Sequence, residues 1–291
     1  VKSRNFHQLL GSHGKTSQAR GFTLIELLTV VSATAILSVL FVGAAQKTLG
    51  SASRVREVSA ARQLVTALTA SAQENDGAYL PGMDYRAGKS GTPVYKPEGG
   101  LVSGHAAHRY PYRLGPYLAG EFDGTIFVNR NKQEIIDSAG GSGPMYDYQV
   151  STFPALGMNI YCVGGVVRAD NSMHNSEDCI TRMASMKGSI LAFASGGSGM
   201  GKSRRQGFSY VSPPTLQNES PICLKWQDPS AWTKQKDPMN YGWVDFRYNG
   251  KAVAAFLDGS VRMCSVEELS DMRLWSHTAL EQDNPTYEMV P

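Results

Sequence analysis

The stretch with the most evident chemical potential is Gly196-Gly197-Ser198-Gly199-Met200-Gly201-Lys202-Ser203, which satisfies the GxxxxGK[ST] phosphate-loop pattern. In such a loop, backbone N–H groups and the lysine cradle nucleotide phosphates at a helix N-terminus. The run Ile190–Ala194 before it reads as a strand, but Arg204-Arg205-Gln206-Gly207 and an extended run ending in Pro213-Pro214 follow. That leaves little room for the anchoring helix, and no repeated βαβ pattern surrounds it. The expectation is a flexible Gly-Ser loop with a basic tip and no nucleotide partner. Gly197-Ser198-Gly199 sits inside the same glycine run, not between a strand and a helix as a nucleophile elbow requires.

Metal readings are weaker still. His105 and His108 have ligand-like spacing, yet no Cys or carboxylate stands beside them, so they read as surface histidines in a loop. Asp245, Asn249 and Asp258 could converge on Ca²⁺, but turn and strand-edge roles need fewer assumptions. Neither an HExxH helix nor an EF-hand loop is present, so no metal site and no cofactor is expected. Trp226, Trp232, Tyr241 and Trp243 could stack on sugars or form an interface; core packing explains them more simply. The four cysteines, Cys162, Cys179, Cys223 and Cys264, form no CxxC. In an exported domain they allow two disulfides with three connectivities, and buried free thiols are the equal alternative.

The elements that must position these groups divide by composition. Residues 1–21 hold Lys2, Arg4, Lys15 and Arg20 and no acid. Removing those four from the 28 basic residues leaves 24 against 25 acids, so the net +3 belongs to this stretch and no nucleic-acid footprint remains. From Phe22 to Gln46 the only charge is Glu26. As a helix rising ~1.5 Å per residue, Phe22–Val42 spans roughly 30 Å, enough for a bilayer core. Basic residues before the span stay cytoplasmic and the distal domain is translocated. A secretory signal peptide would have a shorter apolar core and a small-residue cleavage site. A carboxylate inside the apolar run costs at least ~2.5–3.5 kcal/mol on insertion scales, so it needs a partner, a function or a path to the interface.

Gly21-Phe22-Thr23-Leu24-Ile25-Glu26 resembles the leader junction of type IV prepilins and type II secretion pseudopilins. The resemblance covers the leader and the following helix. It implies that a prepilin peptidase cuts between Gly21 and Phe22 and methylates the new Phe22 amine. It also implies that Glu26 pairs with the Phe22 amine of a neighbouring subunit, so that both charges are compensated in lipid or filament core. The implied partners are the peptidase, other pilin-like subunits through the helix, and the membrane.

Beyond Lys47, Val55, Val58, Ala61, Val65, Leu68 and Ala72 recur at spacings of three and four, predicting one apolar stripe with Arg54, Arg56, Glu57 and Arg62 off it. Gly43 and Gly50 are weak points, each costing ~1 kcal/mol relative to Ala; they either permit bending or are simple imperfections. Asn75-Asp76-Gly77 ends the helix. Glu121–Val128 reads as a turn entering a strand. Near the C-terminus, Trp243–Arg247, Ala252–Leu257 and Ser260–Cys264, separated by Asn249-Gly250 and Asp258-Gly259, predict a three-stranded antiparallel meander over 243–264. Ser265-Val266-Glu267-Glu268 then fits a capping box for a short helix to about Leu274.

Asn75–Pro81 and the hairpin Arg247-Tyr248-Asn249-Gly250 with Phe256-Leu257-Asp258-Gly259 resemble stretches of a pseudopilin-like family from Planctomycetes and Verrucomicrobia. That family places a histidine ten residues before the Asp of its Asp-Gly turn, where this chain has Tyr248. A structural job for the signature carries over; a role needing the histidine does not. The expected organisation is a cleaved leader (1–21), a transmembrane and assembly helix (22–75) and an exported globular domain (76–291). The expected fold is α+β and pilin-like, a long N-terminal helix packed on an antiparallel sheet with a long loop-rich insertion. The expected function is a structural subunit of a secretion or surface filament, seated in the inner membrane with its leader cytoplasmic and its C-terminal domain outside. The alternative is a binding module for carbohydrate or protein tethered by the same helix. A hydrolase lacks any acid, base and nucleophile constellation.

Overall fold

A computed structural model describes residues 23–89, 91–174, 178–215 and 225–289, apart from the side chains of 40, 42–49 and 174. The chain divides into two units, Val1–Thr48 and Leu49–Pro291. One α-helix, Leu24–Glu74, contributes to both and runs without a break through Gly43 and Gly50. Its end lies where the sequence places it. Asp76 and Gly77 take positive φ (51° and 78°), and the Gly77 N–H donates back to the Ala72 carbonyl at 2.8 Å.

In the second unit the helix buries Glu57, Ala60, Ala61, Leu64, Val65, Leu68 and Ala72. This is the predicted stripe with two corrections. Val55 is 62% exposed, and Glu57, read as lying off the stripe, is fully buried within it. The mixed α/β unit contains a five-stranded sheet. Its order is Tyr210–Val211, Leu156–Asn159, Leu191–Ser195, Lys251–Phe256, Val261–Ser265. The first pair is parallel and the rest are antiparallel. The region expected to be a loop-rich insertion therefore supplies three of the five strands. Leu156–Asn159 and Leu191–Ser195 are buried at every position, so they lack the alternation that marks a half-exposed strand.

The meander is also corrected. Lys251–Phe256 and Val261–Ser265 pair as expected, but Trp243–Arg247 is not a strand. Trp243 has φ +64°, outside the extended region, and the Asp245 N–H donates to the Ser195 carbonyl at 2.8 Å. The partner across from Lys251–Phe256 is Leu191–Ser195 instead. Glu121–Val128 likewise folds back as a turn, the Phe127 N–H bonding the Phe122 carbonyl at 2.8 Å, and forms no strand. The capping box is present: Ser265 Oγ accepts from the Glu268 N–H, and the Glu268 carboxylate accepts from the Ser265 N–H at 2.7 Å. The helix it starts is Val266–Leu269, continued by a 3₁₀ turn at Met272–Leu274.

Candidate functional site

Gly21 and Phe22 lie outside the described residues. Thr23 and Glu26 form a second capping box at the start of the helix. The Glu26 carboxylate accepts from both the N–H and the hydroxyl of Thr23 at 2.8 Å, and the Glu26 N–H donates to Thr23 Oγ1 at 3.3 Å. This role was legible in the Thr-x-x-Glu spacing. Leu24, Ile25, Leu27, Leu28, Val30, Val31, Ile36, Leu37, Val39 and Phe41 are all more than half exposed. Among the described residues no helix is long and apolar enough to cross a membrane; part of the apolar run in the sequence lies outside them.

The second cluster centres on Glu57, which is 0% exposed. Helix periodicity delivers this carboxylate to the sheet, and three side chains receive it. Ser195 Oγ donates to Glu57 Oε1 and itself accepts the Val253 N–H at 2.9 Å. The Tyr248 hydroxyl lies 2.7 Å from Glu57 Oε2 and 3.2 Å from the Ser53 carbonyl. Arg247 Nη2 stands 3.7 Å from Glu57 Oε1 and donates to the carbonyls of Gly196 (2.6 Å) and Ala155 (3.2 Å). Asp245 completes the array, 3.5 Å from Arg247 Nε and 2.5 Å from Arg204 Nη2.

The electrostatics are self-consistent. Burial works against the charge of Arg247, but the carboxylates of Glu57 and Asp245 outweigh it and raise its pKa. Burial first, and then the neighbouring Glu57 charge, holds the Tyr248 phenol well above its usual range. Tyr248 is therefore a neutral donor, and the cluster is a closed clamp between helix and sheet. The Glu57 carboxylate has no exposed surface, and its hydrogen bonds go to groups of the fold.

Both signature turns are formed. Asn249 (φ +53°) and Gly250 (φ +78°) form a two-residue turn, with Tyr248 and Lys251 exchanging backbone bonds of 3.0 and 3.1 Å, although no strand precedes it. At the second turn only Gly259 takes positive φ (+84°), while Asp258 Oδ1 accepts the Ser260 N–H at 2.8 Å. The first turn follows Tyr248, whose hydroxyl meets the helix at Glu57 and Ser53. Glu57 escaped sequence reasoning, although a signal existed: it stands four residues before Ala61 and seven before Leu64, in phase with the apolar stripe.

The remaining candidates separate. Gly197-Ser198 pairs with Arg205-Gln206 as a small hairpin, with Gly201–Ser203 as a 3₁₀ turn at its tip. His105 and His108 lie on one short helix with rings 5.3 Å apart. Among the described residues no three His, Cys, Asp or Glu side chains are grouped to hold a metal. Cys162, Cys179 and Cys264 are free thiols, and Cys223 lies outside the described residues. Trp226 and Tyr241 are buried, edge-on to each other and to Phe246, while Trp243 stacks on Phe208 at 4.0 Å, so most of the aromatic segment is core. No family model, curated protein or solved structure matches the chain.

Proposed function

We propose that this chain is a pilin- or pseudopilin-like structural subunit. In this reading it is cut between Gly21 and Phe22, methylated on the Phe22 amine, and held in the inner membrane by its N-terminal helix. It then assembles through that helix into a secretion or surface filament, with the globular unit on the extracytoplasmic side. The fold fits a pilin-like plan in which one long helix runs from an assembly segment into the core of an α+β domain.

The observation that carries the reading is the side-chain exposure over Leu24–Phe41. Apolar residues emerge on nearly every side of that helix segment, with Glu26 as its one charge. A helix that is apolar all round is stable only in lipid or packed among other helices. Glu26, at the third helical position and four residues after Phe22 in the sequence, caps its own helix through Thr23, and in this reading it also meets a neighbour's amine.

The test is assembly of a Glu26→Leu variant produced in its native cell. The expected result is normal cleavage and membrane insertion with loss of the shearable or cross-linkable multimer. Wild-type multimer from Glu26→Leu would contradict the proposal.

A further inference from the structure

A cleft of about 420 Å³ opens beside the end of the long helix, between the segment Tyr79–Pro81 and the strand residues around Val167. Three guanidinium groups line it, those of Arg86, Arg113 and Arg182, and among the described residues no carboxylate is in its lining. Their existing partners leave a surplus of positive charge. Arg86 is committed to Asp84, to which its Nε and Nη2 donate at 2.9 and 2.8 Å, and to Asn171 Oδ1 at 3.1 Å. Among the described residues neither Arg113 nor Arg182 is in an ion pair. Arg113 Nη2 donates to the carbonyls of Pro81 (2.6 Å), His108 (3.0 Å) and Gly82 (3.1 Å), and its buried Nε has no hydrogen-bond partner. Arg182 Nη1 donates to the Asp76 carbonyl at 3.1 Å, and the residue is exposed at the rim.

Arg113 hydrogen-bonds only to neutral carbonyls, and Asp84, already committed to Arg86, compensates its charge only from beyond ion-pair distance, so a further anion would lower the cost of burying it. Burial pushes the Arg113 pKa down to about 10, with Asp84 opposing, so the group is still charged at neutral pH. Apolar groups of Tyr79, Leu80, Pro81, Val167 and Met173 also line it. Gly164 (φ +67°), also in the lining, lies so close to the Leu80 carbonyl that a Cβ there would meet the oxygen at 2.2 Å.

We infer that this cleft binds a small organic carboxylate: the anionic head sits between Arg113 and Arg182, and an apolar body lies along Tyr79–Pro81. A planar guanidinium matches a carboxylate in fork geometry, and the volume falls in the range of small-molecule sites. A bare inorganic anion would leave the apolar lining uncovered. The inference stands apart from the assembly role of the N-terminal helix.

The test is calorimetric titration of the full chain in detergent with phenylacetate, with its uncharged isostere phenylacetamide, and with inorganic phosphate. Saturable phenylacetate binding, with phenylacetamide and phosphate each weaker by about tenfold or more, is expected. Arg182→Gln, at an exposed rim position, should weaken phenylacetate about tenfold, and Arg182→Lys should restore part of it. Equal binding of acid and amide, phosphate at or above phenylacetate, an Arg182→Gln variant that binds like wild type, or no saturable binding of phenylacetate would each overturn the inference.

Discussion

Residues 24–41 and 54–74 belong to one helix, but their side chains meet opposite conditions. The first stretch leaves large apolar groups in the open, with a glutamate capping its start. The second buries a single stripe against its own domain and carries a glutamate, Glu57, into the core. The contrast teaches how one element can serve two purposes. Where the sequence is apolar on nearly every side, the proposed function supplies lipid or neighbouring subunits as its partner. Where polar residues such as Arg62, Gln63 and Thr66 restrict the apolar face to one stripe, the partner is the fold itself. The two carboxylates follow the same division, one open to an intermolecular contact and the other closed by Ser195, Tyr248 and Arg247.

The contrast can be broken or sharpened by substituting matched residues in the two stretches. The largest effect is expected at Glu57. Glu57→Ala removes one of the two carboxylates that compensate the buried Arg247, together with the shared acceptor of Ser195 and Tyr248, and should lower stability by ~3–5 kcal/mol in thermal or denaturant melts. Glu26→Ala, at an exposed cap, should cost about 1 kcal/mol or less. Equal losses would erase the distinction. Next comes packing: Leu64→Ala should destabilise by ~2–5 kcal/mol, with Leu28→Ala within about 0.5 kcal/mol for the globular unit. A smaller change isolates the clamp. Tyr248→Phe removes one donor to the buried carboxylate, and a loss of ~1–3 kcal/mol in chemical denaturation is expected. A silent Tyr248→Phe would show that the signature turn does not hold the helix. Smallest is Ser265→Ala, which removes the cap on Val266–Leu269 and should cost about 1 kcal/mol, with no effect on multimer formation.

Local chemistry was the legible part of this fold. The helix end at Asn75-Asp76-Gly77, the Asn249-Gly250 turn and the Ser265 capping box each depend on a few adjacent residues, and each lies where its residues demand. Sheet membership was not legible, because Leu156–Asn159 and Leu191–Ser195 are buried on both faces and carry no periodic mark. Trp243–Arg247 misled for the complementary reason. Its alternation suits a strand, but the positive φ at Trp243 and the bond from Asp245 to Ser195 turn it away from the Lys251–Phe256 edge. Glu57 was hidden because its burial depends on Ser195, Arg247 and Tyr248, more than a hundred positions distant. A charge at an in-phase position reads as solvated until its partners are placed.

The central claim is that the N-terminal helix is exposed as an assembly element by cutting at Gly21-Phe22. Mass spectrometry of the N-terminal peptide from protein isolated from native membranes tests this most directly. The account predicts a peptide beginning at Phe22 with a methylated amine. A peptide spanning an uncut Gly21-Phe22 bond, or a terminus distal to Val42, would contradict it.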